Sequence, residues 1–580
     1  MRHEKLSPAL AAAADAFARA GRAGLAPHGD RLGLVSVSPA ARPARAVVFL
    51  HVEAGADLEH LADLGVQLNG GEGPVRTGIV PLERLGALSE DPAVHRIVAS
   101  TRLRLLLDVA TAAVHVPAFR SRTGRRGKGV VIGIVDSGIE VGHDSFAGRI
   151  HRVWDQTLNG QGVPEGRYGV ELKGSSLSLS RDTNGHGTHV AGIAAGADDT
   201  YEGVAPDARL VVVKTDLLSA HIADGIRYVF RVAGALRQPA VVNLSLGGQD
   251  DSHDGKDSLS AVIDEVVGPG RIVCCAAGNE GNDNIHARVK VPRGGTRTIP
   301  CAIAAPATDS PPQVVSFTGW YPGVDRLSVA VVSPSEVQTP FQPIITKGSP
   351  VRTHSLADGL VRITTPGPDP TNGDHAFLVQ IEPAPVPEGS HRRGSWRLRV
   401  KGTKVTDGNL DVWSVDPVAA QLTGKAVSDS MKVGSPGAAT GAITVASFTT
   451  RTAWEDIFGQ PHEAGLELDD ISDFSSEGPR RDGGQKPDLA APGAMIASAL
   501  SVHSPVLPEL LMDSLHVLMA GTSMATPFIS GIVALLLEGD RTLGPEQVRA
   551  VLRSHSAFPG GGPGRWDPKW GAGLLDARDL

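Results

Sequence analysis

Cysteine is scarce: the 580 residues hold three, Cys274, Cys275 and Cys301, an odd number with two adjacent, so the chain carries no disulfide framework. All three lie in apolar, strand-like segments, which predicts buried and inert thiols. No C-x-x-C or H-E-x-x-H pattern occurs, and His462-Glu463 lacks a second histidine, so the chain is not read as a zinc enzyme and no metal site is assigned. No apolar run reaches the ~18 residues of a membrane span. Neither sign of charge dominates: 55 Lys and Arg against 63 Asp and Glu give −8, and nothing global recommends nucleic acid or a membrane as partner. The local basic run from Arg120 to Lys128 reads as a solvated linker. At the N-terminus, Ala9 to Ala14 is too weakly apolar for a secretory signal and reads as a short amphipathic helix. A cytoplasmic location is therefore expected, with secretion as the alternative. Hydrophobic content of 41 % and charged content of 20 % describe an ordinary globular protein of several domains.

Against these absences stand three short segments whose side chains form a chemical set. Gly521-Thr522-Ser523-Met524-Ala525-Thr526-Pro527 presents a serine on a tight turn before the apolar run Phe528 to Leu537. Ile134-Val135-Asp136-Ser137-Gly138 ends an apolar strand on a carboxylate, and Asn184-Gly185-His186-Gly187-Thr188-His189 supplies an imidazole. A serine hydroxyl is inert at its own pKa; it needs a base in reach, and that base needs a third group to fix its tautomer. Asp136, His186 and Ser523 fit those roles. Their order along the chain, and Ala525 where an α/β-hydrolase elbow has glycine, argue against an esterase or lipase.

These blocks resemble the subtilisin-like serine endopeptidases. Val242-Asn243-Leu244-Ser245-Leu246-Gly247-Gly248, Ala276-Ala277-Gly278-Asn279-Glu280-Gly281, Asp473-Phe474-Ser475-Ser476-Glu477-Gly478-Pro479 and Lys486-Pro487-Asp488-Leu489-Ala490-Ala491-Pro492-Gly493 extend the likeness over about half the chain. The resemblance implies that Ser523 attacks a peptide carbonyl, His186 shuttles the proton and Asp136 holds His186. It further implies that the Asn279 amide and the Ser523 N–H accept the oxyanion, while Ser245, Leu246 and Gly247 form an edge against which substrate adds a strand. In the same pattern His189 is structural. No cofactor is implied; structural calcium is common in the family, but no acidic loop marks a site. Protein or peptide substrates are the implied partners. A catalytically silent relative that binds a protein through the cleft or through an inserted domain is the competing reading.

The expected fold class is α/β, a parallel sheet flanked by helices, because apolar strands alternate with helical runs at Val130–Val135, His189–Gly196, Leu210–Val213, Ile222–Ala235 and Val241–Leu246. Five segments are expected: a helical extension over 1–44, an α+β (ferredoxin-like) domain over 45–113, catalytic parts over 114–289 and 433–580, and an inserted domain over 290–432. Residues 45–107 show strands at Val47–Leu50, Val75–Val80 and Val94–Leu107, with Asp57 capping a helix through Leu58, Leu61 and Leu64 and a second helix through Leu82, Leu85 and Leu88. That segment resembles the inhibitory prodomain of the family, which implies an intramolecular inhibitor and self-cleavage between Ser100 and Ala113, with Arg125-Arg126 ranked second. The long stretch after Asn279 alternates Phe377, Val379, Ile381 and Trp396, Leu398, Val400 against Arg397, Arg399 and Lys401, which predicts a β-sandwich or jelly roll. The order of domains is similar to that of the spore-germination proteases of the family. Oligomeric state and residue preference are not legible.

Overall fold

The computed structural model describes all residues except 29–33, 36–43, 54, 72, 102–103, 106–113, 199, 305–312, 386–392 and 560–564. Two compact units form: one comprises Met1–Arg102, Gln249–Ser252 and Asp283–Asp429, the other Leu103–Gly248, His253–Asn282 and Ser430–Leu580.

The second unit is built on one sheet. Its strands, in chain order, are β1 (Val131–Asp136), β2 (Ile150–Asp155), β3 (Val170–Leu172), β4 (Arg209–Lys214), β5 (Ala240–Leu244), β6 (Arg271–Ala276), β7 (Ile443–Thr449), β8 (Leu489–Ala494), β9 (Ser556–Ala557) and β10 (Leu574–Leu575). They lie in the order β9-β10-β8-β7-β6-β5-β1-β4-β2-β3. From β10 to β2 every pairing is parallel, and only the outermost strands β3 and β9 run antiparallel. The run Val-Ile-Gly-Ile-Val-Asp of β1 is buried throughout, as expected of a strand covered on both faces. The expected strand Val241–Leu246 breaks in two: β5 stops at Leu244, and Leu246–Gly247 forms a separate short pair.

Among the helices of this unit are α1 (His186–Ala195), α2 (Ser219–Ala235), α3 (Ser258–Val266), α4 (Thr522–Gly539) and α5 (Pro545–Ser554). Helix α4 is long and apolar enough to cross a membrane, yet 89 % of that window is buried inside the protein, so its hydrophobicity serves the core. Val190, Ile193, Phe528, Ile529 and Ile532 share one apolar cluster with Ile132, Ile134 and Val445 of the sheet. Close helix crossing needs small residues, and the alanine and glycine content of α1 and α4 supplies them. A Cβ at Gly531 would lie 2.4 Å from the Val204 Cβ and 3.0 Å from the Ala194 carbonyl oxygen, and one at Gly192 would lie 2.2 Å from the Ser498 Oγ.

The basic run expected as a linker is instead structured. Arg120 and Arg122 sit on a helix, Val116–Thr123, and Arg120 and Arg126 both pair with Glu202, the latter at 2.7 Å. Neighbouring carboxylates, invisible to a local reading, turn the run into a salt-bridged face. Cys274 and Cys275 lie fully buried in β6, and burial raises both thiols, Cys274 to about 12.

In the first unit, Arg45–Val52, Val75–Pro81 and Val94–Ala99 pair antiparallel in one small sheet. Leu85–Glu90 is the expected short helix, but Glu59–Leu64 is a 3₁₀ turn and not an α-helix. Asp57 accepts the Glu59 N–H at 3.0 Å, and Gly65 at φ 75° ends the turn. The helix Pro8–Ala20 contributes Leu10, Ala11 and Ala13 to this core beside Val48 and Leu50. Residues 283–429 form two antiparallel sheets of six and four strands. Phe377, Val379 and Ile381 of one and Trp396, Leu398 and Val400 of the other share one core, as their alternation predicts. Cys301 lies there too, and burial raises its thiol.

The α1–α4 crossing generates a test. Gly531→Ala gains ~1 kcal/mol of helix propensity but forces a methyl into backbone and valine, which costs ~1–3 kcal/mol. The variant is expected to unfold at lower denaturant concentration than the wild type; greater stability would show that the helices do not approach this closely.

Candidate active site

The carboxyl ends of adjacent parallel strands gather the singled-out residues, where an open α/β sheet places its ligands. Asp136 is the last residue of β1, Ser245 comes directly after β5, and Asn279 lies just beyond β6. His186 is the first residue of α1 and Ser523 the second of α4. Asp136, His186 and Ser523 are fully buried.

Asp136 and His186 meet directly: His186 Nδ1 lies 2.7 Å from Asp136 Oδ1, which also accepts the Ser137 N–H at 2.7 Å. A carboxylate there fixes the imidazole with its proton on Nδ1, leaving Nε2 as the basic nitrogen. The approach depends on glycine. A Cβ at Gly187 would stand 2.3 Å from the Gly138 carbonyl oxygen and 3.1 Å from the Asp136 Cβ, so no larger residue lets α1 begin where β1 ends.

Ser523 occupies a different hydrogen-bonding state. Its hydroxyl donates to the Ser245 carbonyl at 2.8 Å. The same contact has a counterpart in the backbone. Pro527 lies inside α4 and has no N–H to offer the carbonyl four residues back, that of Ser523; the Ser245 hydroxyl donates to it at 2.5 Å. Ser245 Oγ is in turn held by the Asn243 amide at 2.9 Å, and Asn243 by Ser530 at 2.9 Å. Asn243 is buried in β5, so its Asn-Leu-Ser sequon is out of reach of glycosylation.

Asn279 is oriented by α4. Its Oδ1 accepts the Thr522 N–H at 3.0 Å and the Thr522 hydroxyl at 2.9 Å, which turns its amide N–H groups the other way. Ser523 sits at the second position of α4, where a backbone N–H has no acceptor within the helix and the positive end of the helix dipole lies. Leu246–Gly247 pairs antiparallel with Arg104–Leu105, so the edge read as open to substrate is taken by the chain's own segment. The expected cleavage window, 100–113, falls largely outside the described residues. Among the described residues no group of three or more His, Cys, Asp or Glu side chains is placed to hold a metal ion.

His189 is fully buried one turn after His186, donating from Nε2 toward the Ile496 and Val517 carbonyls at 3.1 and 3.2 Å. Burial lowers its pKa to about 3, with the adjacent His186 adding to the effect. It is a neutral strut between α1 and the strand pair Ile496–Ala499 and His516–Met519.

One residue escaped the sequence reading. Asp182 is fully buried, and its Oδ1 accepts from the Gly185 N–H at 2.9 Å and the Ser137 hydroxyl at 2.9 Å, while Oδ2 accepts from the Thr188 N–H at 2.9 Å and hydroxyl at 2.6 Å. The N-cap of α1 is Gly185, which has no side chain to cap with; Asp182, three residues earlier, does the capping from outside. Ser137 closes the circuit by accepting the Gly187 N–H at 2.9 Å. The signal was an aspartate shortly before a helix that begins on glycine.

A family model described as the subtilase family matches residues 127–358 and 405–573. The chain belongs to the subtilase family. Among curated subtilases it is 32 % identical to the serine protease AprX of Bacillus subtilis (strain 168) over 176 residues, 29 % of this chain and 36 % of that protein. It is 31 % identical to subtilisin E of the same strain over 225 residues, 38 % of this chain and 51 % of that protein. It thus spans about half of these relatives' length or less. The solved structure of the Clostridium perfringens CspB protease superposes with a TM-score of 0.65 at 24 % identity, over 80 % of this chain and 95 % of that one, which is a likeness of fold.

The cap and the buried strut each generate a measurement. Asp182→Ala strands buried N–H donors of Gly185 and Thr188 and is expected to cost about 2–4 kcal/mol of unfolding free energy; Asp182→Asn, which keeps one acceptor, should recover part of it. In acid, the unfolded His189 gains a proton near its ordinary pKa of about 6.5, whereas the folded one resists until about 3. Between those values the unfolded state binds more protons, so His189 makes stability fall as pH falls, by ~1.4 kcal/mol per pH unit. His189→Gln should be less stable at pH 8 yet show a shallower loss from pH 6.5 to 4 in urea titrations.

Proposed function

We propose that this subtilase is a serine endopeptidase that hydrolyses peptide bonds through Asp136, His186 and Ser523, and that it is made as an autoinhibited, self-processing precursor. The observation that carries the reading is the 2.7 Å bond between Asp136 and His186 at the carboxyl end of β1, with Ser523 at the head of α4. In this mechanism the Ser523 hydroxyl exchanges its bond to the Ser245 carbonyl for one to His186. Its Oγ adds to the scissile carbonyl carbon as His186 Nε2 takes the hydroxyl proton, and Asp136 stabilises the imidazolium through Nδ1–H. Negative charge builds on the former carbonyl oxygen, where the Asn279 amide and the Ser523 N–H receive it; losing one such donor costs on the order of 10²–10³ in turnover. His186 then returns the proton to the leaving nitrogen, the C–N bond breaks, and water, deprotonated by His186, hydrolyses the ester.

Pairing of Arg104–Leu105 with Leu246–Gly247 supports autoinhibition, because a strand added by the protein itself excludes a substrate strand from the same edge. Residues 45–113 then act as the inhibitory prodomain, and the sandwich over 290–432 is a scaffold. A catalytically silent, partner-binding relative is not favoured, since no proposed catalytic side chain is missing.

The experiment compares wild type with Ser523→Ala. Wild-type protein is expected to lose an N-terminal fragment ending between residues 100 and 113, to react with a fluorophosphonate and to degrade denatured casein. Ser523→Ala should remain intact and unlabelled, with turnover down by ~10⁵-fold or more. Labelling that survives the substitution removes the nucleophile assignment; an intact wild-type chain with full activity removes autoinhibition.

A further inference from the structure

Exposed apolar side chains are concentrated in one stretch of the chain. Among the described residues twelve large apolar side chains are exposed, and six of them, Ile457, Phe458, Leu468, Val502, Leu507 and Leu515, lie between 457 and 515. Phe458 is 71 % exposed, Val502 67 % and Leu507 60 %. A lone exposed apolar residue needs no explanation, whereas a concentration of them does.

Two segments carry the ledge. One is the hairpin Ala453–Glu455 and Pro461–Glu463, whose tip holds Ile457 and Phe458; Asp456 fixes that tip by accepting the Phe458 and Gln460 N–H groups at 2.8 and 2.9 Å. The other is the loop over 500–515. They are joined, since the Ile457 N–H donates to the Leu511 carbonyl at 2.7 Å and the Trp454 indole to the Glu509 carbonyl at 2.8 Å. The loop reaches the start of α1. Ser501 donates to the Asp182 carbonyl at 2.7 Å, and Ser504 lies so close to Gly185 that a Cβ there would stand 2.7 Å from its Oγ. Val502 and its neighbours are thus anchored beside the start of α1, next to His186.

Given the proposed catalytic role of His186, on which this rests, the position assigns the side of the scissile bond. His186 delivers its proton to the leaving nitrogen, so the surface beside Gly185 faces the leaving-group half of the substrate, while Leu246–Gly247 takes the acyl half. Charge narrows the occupant. Residues 453–470 and 500–515 hold eight carboxylates, Glu455, Asp456, Glu463, Glu467, Asp469, Asp470, Glu509 and Asp513, and neither Lys nor Arg; Asp456 and Asp513 are bonded to His462 and His516 at 2.9 Å, which leaves six, and Arg451 stands two residues before the first segment. An apolar ledge with an anionic rim complements an extended polypeptide that is apolar and cationic.

We propose that this ledge binds apolar, Lys- or Arg-bearing residues C-terminal to the scissile bond and gives the protease its preference on the leaving-group side. The test uses processed enzyme and a peptide copied from a site it cuts in denatured casein, with the leaving-group half rewritten as Leu-Leu-Lys or as Ser-Ser-Glu. Wild type is expected to favour the first by about 10-fold in kcat/KM. The triple variant Phe458→Ser, Val502→Ser, Leu507→Ser changes only exposed side chains; it should lose that preference while its fluorophosphonate labelling rate stays at the wild-type value. An unchanged preference overturns the proposal, as does a parallel fall in labelling, which would mean the ledge supports the fold of the site. Loss of a concentration-dependent dimer with preference intact also overturns it, assigning the ledge to a second copy. Absence of labelling in the wild type strikes the catalytic reading itself and this proposal with it.

Discussion

A buried carboxylate facing a buried imidazole is the constraint on which the rest of this end of the sheet depends. Asp136 and His186 are both shielded from water, and a charge so placed is tolerated only when it is hydrogen-bonded. The fold meets that demand by letting a helix begin where a strand stops. Gly187 permits the approach, Ser137 bridges strand to helix, and Asp182 takes the donors that a helix starting on glycine leaves uncapped. A second carboxylate at this helix start also lies at the positive end of the dipole, where negative charge is favoured. Asp182 therefore acts on His186 through the backbone of the helix start.

The head of α4 solves a related problem with the opposite sign. Its free N–H groups suit an oxyanion, but a proline at 527 deprives the Ser523 carbonyl of its helical partner. The Ser245 hydroxyl takes that carbonyl, and the Ser245 carbonyl takes the Ser523 hydroxyl, so two serines exchange bonds across the site. One consequence is chemical. Under the proposed mechanism Ser523 gives up this bond to pass its proton to His186, and substrate entering beside Ser245 is the natural competitor for that carbonyl.

Much of this end was legible because its chemistry sits in short, local blocks. Asp136, His186 and Ser523 could be named as a set, since a carboxylate after an apolar strand and a serine before an apolar helix are visible within a few residues; Asn279 and Ser245 were named only through the resemblance to the subtilisin-like endopeptidases. The parallel sheet followed from the alternation of fully apolar strands with helices, and the sandwich from the period-two pattern through Trp396, Leu398 and Val400. What escaped depends on partners that a reading of one residue type at a time does not connect, some a few residues away and some far away in sequence. Asp182 has meaning only beside Ser137 and Thr188; Arg120 and Arg126 become a helix face only beside Glu202; Asp57 fails to nucleate a full helix because Gly65 ends it within two turns. The break after Leu244 was hidden for the same reason, since Leu246–Gly247 leaves the sheet to pair with a segment some 140 residues earlier.

That last pairing bears on regulation through its connectivity. A strand tethered in the same chain as the edge it occupies competes with substrate at an effective concentration that can reach millimolar, so modest contacts suffice to hold it. Cleavage of the tether changes nothing in the contacts themselves, yet it converts the competition to an ordinary bimolecular one. The peptide released this way keeps only what its own pairing contributes, and two residues of ladder contribute little. A substrate that also engages the ledge beside Gly185 has more surface to offer than the departing strand. Under the proposed mechanism, processing and leaving-side recognition therefore act in the same direction: the first lowers the inhibitor's effective concentration, and the second raises the substrate's advantage at the edge the inhibitor has left.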